Sequence, residues 1–200
     1  DATPPLDGTP QGDCYPAAGD CESTCVGGES WCGRRCREGL LGIRFDGWIS
    51  QGYTVNTDSP SNRSNLPVTF NDRSNDYQMN QCYLLMERPV NEYGGRWDVG
   101  GRVDLLYGTD SIYTTARGLE TYGDLSPKWN SGRYGLAMPQ CYMEVFVPWA
   151  SGLSMKLGHF YTILGHESVP AVDNFFYSHS YVMQYGEPFT HTGFLGSTQL

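Results

Sequence analysis

The chain has 200 residues, including 25 glycines, 12 prolines and 14 tyrosines; only 18% of its residues are charged, and its formal net charge is −9. This composition is typical of a loop-rich β-protein rather than a mainly helical one, and an acidic chain without a basic stripe argues against a nucleic-acid partner. The longest apolar runs, such as "YMEVFVPWA", fall far short of the roughly 20 residues that a membrane helix needs. A mean hydropathy of −0.44 still allows a membrane barrel, because barrel strands carry apolar residues only at every second position.

Residues 1–41 form a Cys-rich segment for which we expect irregular structure. Its start, "DATPPLDGTP", has no Met, no basic region and no apolar region. We therefore expect export through a signal peptide that has been removed.

Five cysteines of this segment follow one another at spacings of 7, 4, 7 and 4 residues. A disulfide-stapled leader is the favoured interpretation, and the alternatives are cross-linking to a cell envelope and a metal site. Neither C-x3-C pair has the tighter spacing of zinc ribbons or of c-type haem attachment. Because five is odd, one thiol stays free, pairs with another molecule, or pairs with Cys82 or Cys141. The disulfide candidates are Cys14, Cys21, Cys25, Cys32 and Cys36.

Six strand-like segments follow, at about 42–54, 77–88, 96–108, 138–147 and 153–161, and from 190 onward. The clearest is "RWDVGGRVDLLYG", residues 96–108, in which apolar residues and charged residues occupy alternate positions. This period of two predicts a strand with one apolar face and one wet face. The apolar face would pack on a core in a soluble sandwich and would meet lipid in a transmembrane barrel.

Aromatic residues close both ends of this apolar set. Trp97 and Tyr107 are ten residues apart, which is about 33 Å along a strand and about 25 Å of height at a tilt of about 40°. That height matches the apolar band of an outer-membrane barrel. With Tyr53 near the end of the first strand, these residues are the predicted aromatic girdle.

The connections between the strands are alternately long and short. Antiparallel strands joined in this way have every long loop at one end and every short turn at the other, as in outer-membrane barrels. A soluble domain has no reason to separate its loops like this, and connections of more than twenty residues are uncommon in one. The short turns would lie on the periplasmic side, and the N-terminal segment would lie there too.

Several stretches resemble one known family, namely "GWISQGYTVNTDSPSNRSNLPVTFNDRSNDYQMNQCYLLMERPV", "WDVGGRVDLLYGTD", "TTARGLE" and "LGHFYTILGHESVPAVDNFFYSHSYVMQYGEPFTHTG". They are similar to the β-barrel porin 2, OmpL-like family of planctomycete-type outer membranes, over residues 42–200. The resemblance implies an all-β, antiparallel, up-and-down transmembrane barrel that acts as a porin, with no catalytic residue and no cofactor. Six strands are too few to close such a barrel. We therefore interpret 42–200 as the N-terminal portion of a barrel, and closure by several copies is the alternative.

No catalytic, cofactor-binding or metal-binding residue is predicted, and we do not expect an enzyme. The four histidines are separated by 7, 13 and 12 residues, which is not a local ligand spacing. No nucleophile or phosphate-binding motif is present. On the wet face, charged residues would instead line a lumen. The predicted pore-lining residues are Arg44, Asp46, Asp98, Arg102, Asp104, Glu144 and Lys156.

The predicted function is passive diffusion of small hydrophilic solutes through an outer-membrane porin. The alternatives are a non-conducting barrel with a structural or surface-interaction role and, less favoured, a secreted β-sandwich that binds carbohydrate. The expected partners are outer-membrane lipid and small solutes, with a homo-oligomer as one option and no nucleic acid. The aromatic loop "DNFFYSHSYVMQYGEPF" has two interpretations, a constriction packed into the pore or a loop that stabilises itself above the membrane.

Overall fold

The computed structural model describes residues 42–93, 95–130, 132–149 and 152–198. The Cys-rich segment, its predicted disulfides and the domain boundary at residue 41 lie outside these residues. No described helix is long and apolar enough to span a membrane. The strands are β1 Arg44–Thr54, β2 Asp76–Arg88, β3 Asp98–Gly108, β4 Gly135–Ala137, β5 Cys141–Val147, β6 Leu153–Tyr161 and β7 Thr190–Thr198, and the α-helix α1 is Ser111–Thr114.

All seven strands belong to one antiparallel sheet. The order is β1-β2-β3-β5-β6-β7, so chain neighbours are sheet neighbours, and β4 pairs with the last residues of β3. This confirms the predicted all-β, up-and-down fold. Strands β1 and β7 lie at the two edges, and the sheet formed by the described residues is not closed, as expected for part of a barrel.

The predicted alternation of long and short connections is present. Long connections span residues 55–75, 109–140 and 162–189, whereas short ones span 89–97 and 148–152. Because neighbouring strands are antiparallel, the long connections all leave the same end of the sheet. We call this the loop end and the opposite end the turn end.

Strand β4 is the one described strand that periodicity did not predict. It has three residues, too few to show an alternation. It exists because β5 pairs with β3 only as far as Val103, which leaves the last part of β3 free to pair with Gly135–Ala137. The long connection 109–140 therefore contains sheet structure.

The sheet has two faces, which we call the inner face and the outer face. Trp48, Tyr83 and Asp104 lie on the inner face, where the rings of Trp48 and Tyr83 stack with centroids 4.0 Å apart. The outer face carries the neighbouring positions, and its apolar side chains are exposed. They include Phe45, Ile49, Leu84, Met86, Val99, Leu105, Met143, Leu157 and Phe194.

The buried apolar cluster lies between the inner face and the long connections. It contains Tyr83 and Leu106 from the sheet, Phe70 from connection 55–75, and Val169 and Met183 from connection 162–189. A soluble β-sandwich would bury its apolar sheet face against a second sheet. The described strands form one sheet whose apolar face is exposed, so the architecture does not match the sandwich alternative.

Candidate pore-lining surface

A row of alternating charges crosses the inner face near the turn end. Backbone register places Arg44 opposite Glu87, Glu87 opposite Arg102, and Arg102 opposite Tyr142, on four adjacent strands. Arg44 Nη2 lies 3.0 Å from Glu87 Oε2. Opposite charges in directly facing positions stabilise a sheet, whereas like charges would repel.

The charge row continues onto β5 and β6. Glu144 faces Lys156 in register, and Lys156 Nζ lies 3.9 Å from Glu144 Oε1. Ser154 Oγ donates a hydrogen bond of 2.6 Å to the same carboxylate oxygen. Lys156 Nζ also lies 4.8 Å from the centroid of the Tyr142 ring, within cation–π range.

Asp104 lies deeper in the same face and has no exposed surface. Arg102 holds it with two hydrogen bonds, Nε to Oδ1 at 2.8 Å and Nη2 to Oδ2 at 3.0 Å. Tyr83 OH and Gln140 Nε2 donate to Oδ2 at 2.5 and 2.8 Å. Planar two-point pairing of this kind orients a guanidinium strongly, so Asp104 positions Arg102 and does not itself contact water.

All seven predicted pore-lining residues occupy inner-face positions of the strand register, and Asp98, the first residue of β3, also has a local role. The carboxylate of Asp98 lies 3.0 Å from Arg88 Nη2 and accepts a hydrogen bond of 2.8 Å from Asn91 N. It therefore ties the short connection 89–97 to the sheet. Contact with a solute stays a prediction for these residues, except that Asp104 has no exposed surface and would act on a solute only through Arg102. The seven inner-face positions are Arg44, Asp46, Asp98, Arg102, Asp104, Glu144 and Lys156.

The inner face also carries polar residues that periodicity did not identify. The register of β1 and β2 shifts between Ser50 and Gln51, so that Asn80 has no partner in the ladder. This bulge changes which positions of β2 point inward, and strict alternation therefore fails along that strand. Glu87 could have been identified from the sequence, because the positive charge of Arg102 favours an acidic residue opposite it on the neighbouring strand. The residues missed are Asn80, Gln81, Tyr83, Glu87, Asp110 and Gln140.

Near the loop end, the inner face is covered by a polar cluster centred on Asp110. Its carboxylate accepts hydrogen bonds from Asn80 Nδ2 at 3.0 Å and Gln81 Nε2 at 2.9 Å. Burial raises the pKa of Asp110 to about 7; these two amides and the Thr109 hydroxyl oppose the rise, and the charge of Asp72 adds to it. The cluster joins β2 to the connection that carries Asp110.

The predicted girdle residues are exposed at both ends of the sheet. Tyr53 is 60% exposed near the loop end of β1, and it faces Tyr77 in register. Tyr107 is exposed near the loop end of β3, and Trp97 directly precedes β3 at the turn end. These positions suit membrane interfaces, and the girdle role stays a prediction.

Three histidines are bound to neighbouring side chains, and the two described cysteines are free. His159 pairs with Thr192, His179 with Glu167 and His191 with Thr162. Among the residues that the structure describes, no group of three or more His, Cys, Asp or Glu side chains is placed to hold a metal ion. The free thiols are Cys82 and Cys141.

Comparison with known proteins agrees with this geometry. The model of a protein family described as "Putative beta-barrel porin-2, OmpL-like" matches residues 42–200. No curated protein and no solved structure matches the chain. The matched range begins where the strands begin, and it covers the whole described sheet with its exposed apolar face and its charged inner face. Over residues 42–200, the chain belongs to this family of OmpL-like β-barrel porins, which implies an outer-membrane location.

Proposed function

We propose that this sheet is part of the wall of an outer-membrane porin through which small hydrophilic solutes diffuse passively. The main support for this proposal is that the sheet exposes its apolar face and has charged residues on its opposite, inner face. Exposed apolar side chains cover the outer face, while the ion pairs Arg44–Glu87, Arg102–Asp104 and Glu144–Lys156 lie on the inner face. Such a sheet is suited to lipid on one side and water on the other.

Closure of the wall follows from the chemistry of the sheet edges. Backbone N–H and C=O groups cannot remain unpaired in lipid, and β1 and β7 are edge strands of the described sheet. We therefore expect further strands or further copies of the chain to pair with them. Export through a cleaved signal peptide and a periplasmic N-terminal segment belong to the same proposal.

The first test is single-channel conductance of the natural gene product refolded into planar bilayers. We expect stable ohmic steps, because paired charges on the inner face would hydrate a lumen without blocking it. A folded barrel that passes no current would contradict passive diffusion. Folding is read separately, from the heat-dependent migration of the barrel on a gel.

Selectivity tests which face lines the lumen. The Lys156 side chain is 33% exposed, so its charge can act on ions in the pore. We expect Lys156→Gln to shift the reversal potential in a salt gradient towards cation preference, because one inner-face cation is lost. Met155→Leu, on the outer face of the same strand, is the matched control. An unchanged reversal potential in Lys156→Gln would contradict the proposed lumen lining.

A non-conducting barrel with a structural or surface-interaction role is the second candidate. It is favoured by the way in which connections 55–75, 109–140 and 162–189 cover the loop-end half of the inner face. Phe70, Asp110 and Val169, one from each connection, are all buried there. A folded barrel without conductance would support this candidate.

A further inference from the structure

The geometry points to connection 162–189, which we call the inner loop, as the constriction of the pore, and to Gln81 as the residue that positions it. This inference rests on the proposed porin function and deepens it. It concerns where along the wall the lumen is narrowest and which side chain keeps it so.

The inner loop reaches well below the loop end of the sheet. Gln81 is five residues into β2, counted from Asp76 at the loop end, which is roughly 17 Å along the strand. At this depth Gln81 Nε2 donates a hydrogen bond to Val169 O at 2.6 Å, and Ala171 N donates to Gln81 Oε1 at 3.0 Å. The loop therefore lies within the height of the wall and not above it.

Apolar packing fastens the inner loop at the same depth. Val169 and Met183 are 3% and 2% exposed, and both belong to the cluster that contains Tyr83 and Leu106. Tyr83 is two residues farther from the loop end than Gln81. Removing the loop would expose this cluster, so the inner loop completes the packing of the inner face.

The inner loop also contacts β1. Tyr177 OH donates to Asn80 Oδ1 at 2.7 Å, and its ring lies against Gly52. A Cβ atom at position 52 would be 2.5 Å from Tyr177 Cζ, so any larger residue would displace the ring. Glycine at position 52 therefore leaves the space in which the Tyr177 ring packs against β1.

Large aromatic side chains remain exposed on the inner loop. Phe175 and Phe176 are 94% and 70% exposed, and their rings pack edge-to-face with centroids 4.8 Å apart. Both rings line one cavity together with Asn80 and Gln81 of the inner face, so in a closed barrel they would border the lumen. They would narrow that space and present apolar edges to a passing solute.

Every hydrogen-bond donor and acceptor site of the Gln81 side-chain amide is occupied. Its two N–H groups donate to Asp110 Oδ2 and Val169 O, and its oxygen accepts from Trp48 Nε1 and Ala171 N. An amide has two donors and two acceptor sites. Gln81 thus links the inner loop, connection 109–140 and strand β1 at one point.

Gln78 provides a matched control on the same strand. Both side chains are 1% exposed. Gln78 bonds instead to connection 55–75, through Phe70 O, Asp72 Oδ1 and Arg73 N. Replacement of Gln78 therefore removes comparable hydrogen bonds without touching the inner loop directly.

The experiment compares Gln81→Leu with Gln78→Leu in the natural gene product, by single-channel conductance and by exclusion of polyethylene glycols of increasing size. We expect Gln81→Leu to raise conductance about twofold or more and to admit larger polymers, because a released inner loop widens the narrowest section. Gln78→Leu should stay near the wild-type values. A folded Gln81→Leu protein with wild-type conductance and exclusion would overturn the inference.

A second variant keeps the test decisive if Gln81→Leu does not fold. Replacing Phe175, Phe176 and Tyr177 together by serine trims the inner loop and leaves Gln81 in place. If wild type conducts and the trimmed protein conducts equally, the constriction is overturned and the porin function stands. If wild type is silent and the trimmed protein conducts, the inner loop is a complete plug, which supports the constriction and contradicts open diffusion. If both are folded and silent, both proposals fail.

Discussion

Four hydrogen bonds from three side chains converge on the fully buried carboxylate of Asp104. Burying an ion pair is not by itself stabilising, but breaking one by removing a single partner is costly. The alternation of "RWDVGGRVDLLYG" indicated that Asp104 shares a face with Arg102. It could not show that Tyr83 and Gln140, from other strands, complete the site, because those contacts depend on sheet register.

Asp104→Asn should lower the free energy of unfolding by about 3 kcal/mol, since it removes the buried charged partner of Arg102 and places an amide NH2 against either Arg102 Nε or the Tyr83 and Gln140 donors. Urea unfolding in detergent micelles, followed by gel migration, measures this change. The control is Asp46→Asn, because the Asp46 carboxylate accepts a hydrogen bond from Gly47 N in its own strand. Equal losses for the two variants would show that the buried network adds nothing.

Asp110 should make attachment of the inner loop depend on pH. Its folded-state pKa of about 7 lies above the ordinary value of 3.8, so protonation favours the folded arrangement. The stabilisation is fully present below about pH 4 and is lost as pH rises through about 7. The ionisable groups facing Asp110 are Asp72, Tyr113, Tyr161, Tyr177 and His179.

Limited digestion with chymotrypsin measures this dependence, because the inner loop carries exposed Phe175 and Phe176. We expect faster cleavage there at about pH 8 than at about pH 5.5, once the protease's own pH dependence is corrected with an unstructured peptide. Asp110→Asn should flatten the difference. The same slope in wild type and variant would assign the effect to another group.

At the scale of single elements, period-two alternation predicted six strands and which side chains lie on the outer face. It failed along β2, where the bulge opposite Ser50 and Gln51 brings Asn80 and Gln81 into consecutive positions of one polar cluster. It also missed β4, which is defined by its pairing with β3 and not by its own residues. Both failures have one cause: a bulge or a short paired segment depends on the partner strand.

A charge introduced on the outer face tests whether the side chains of that face contact lipid. Val103 pairs with Met86 and Cys141 at the middle of the sheet. Val103→Arg should cost about 2 to 4 kcal/mol of unfolding free energy, since arginine near the bilayer midplane must be hydrated or displaced. Val103→Leu is the control and should change stability little. The measurement is urea unfolding in lipid vesicles, and a negligible loss for Val103→Arg would contradict lipid contact at this position.

At the scale of the whole molecule, the sequence by itself determined the class of fold, the segregation of long and short connections and the reversed polarity of the sheet. Those features depend on local periodicity and on the number of residues between strands. Both can be read directly from the sequence. Only the tertiary structure decided that the long connections fold back over the inner face, and that Gln81 and Asp110 hold them there. Such contacts join residues as far as 115 positions apart. They arise because a polar side chain buried on the sheet must find hydrogen-bond partners, wherever along the chain those partners lie.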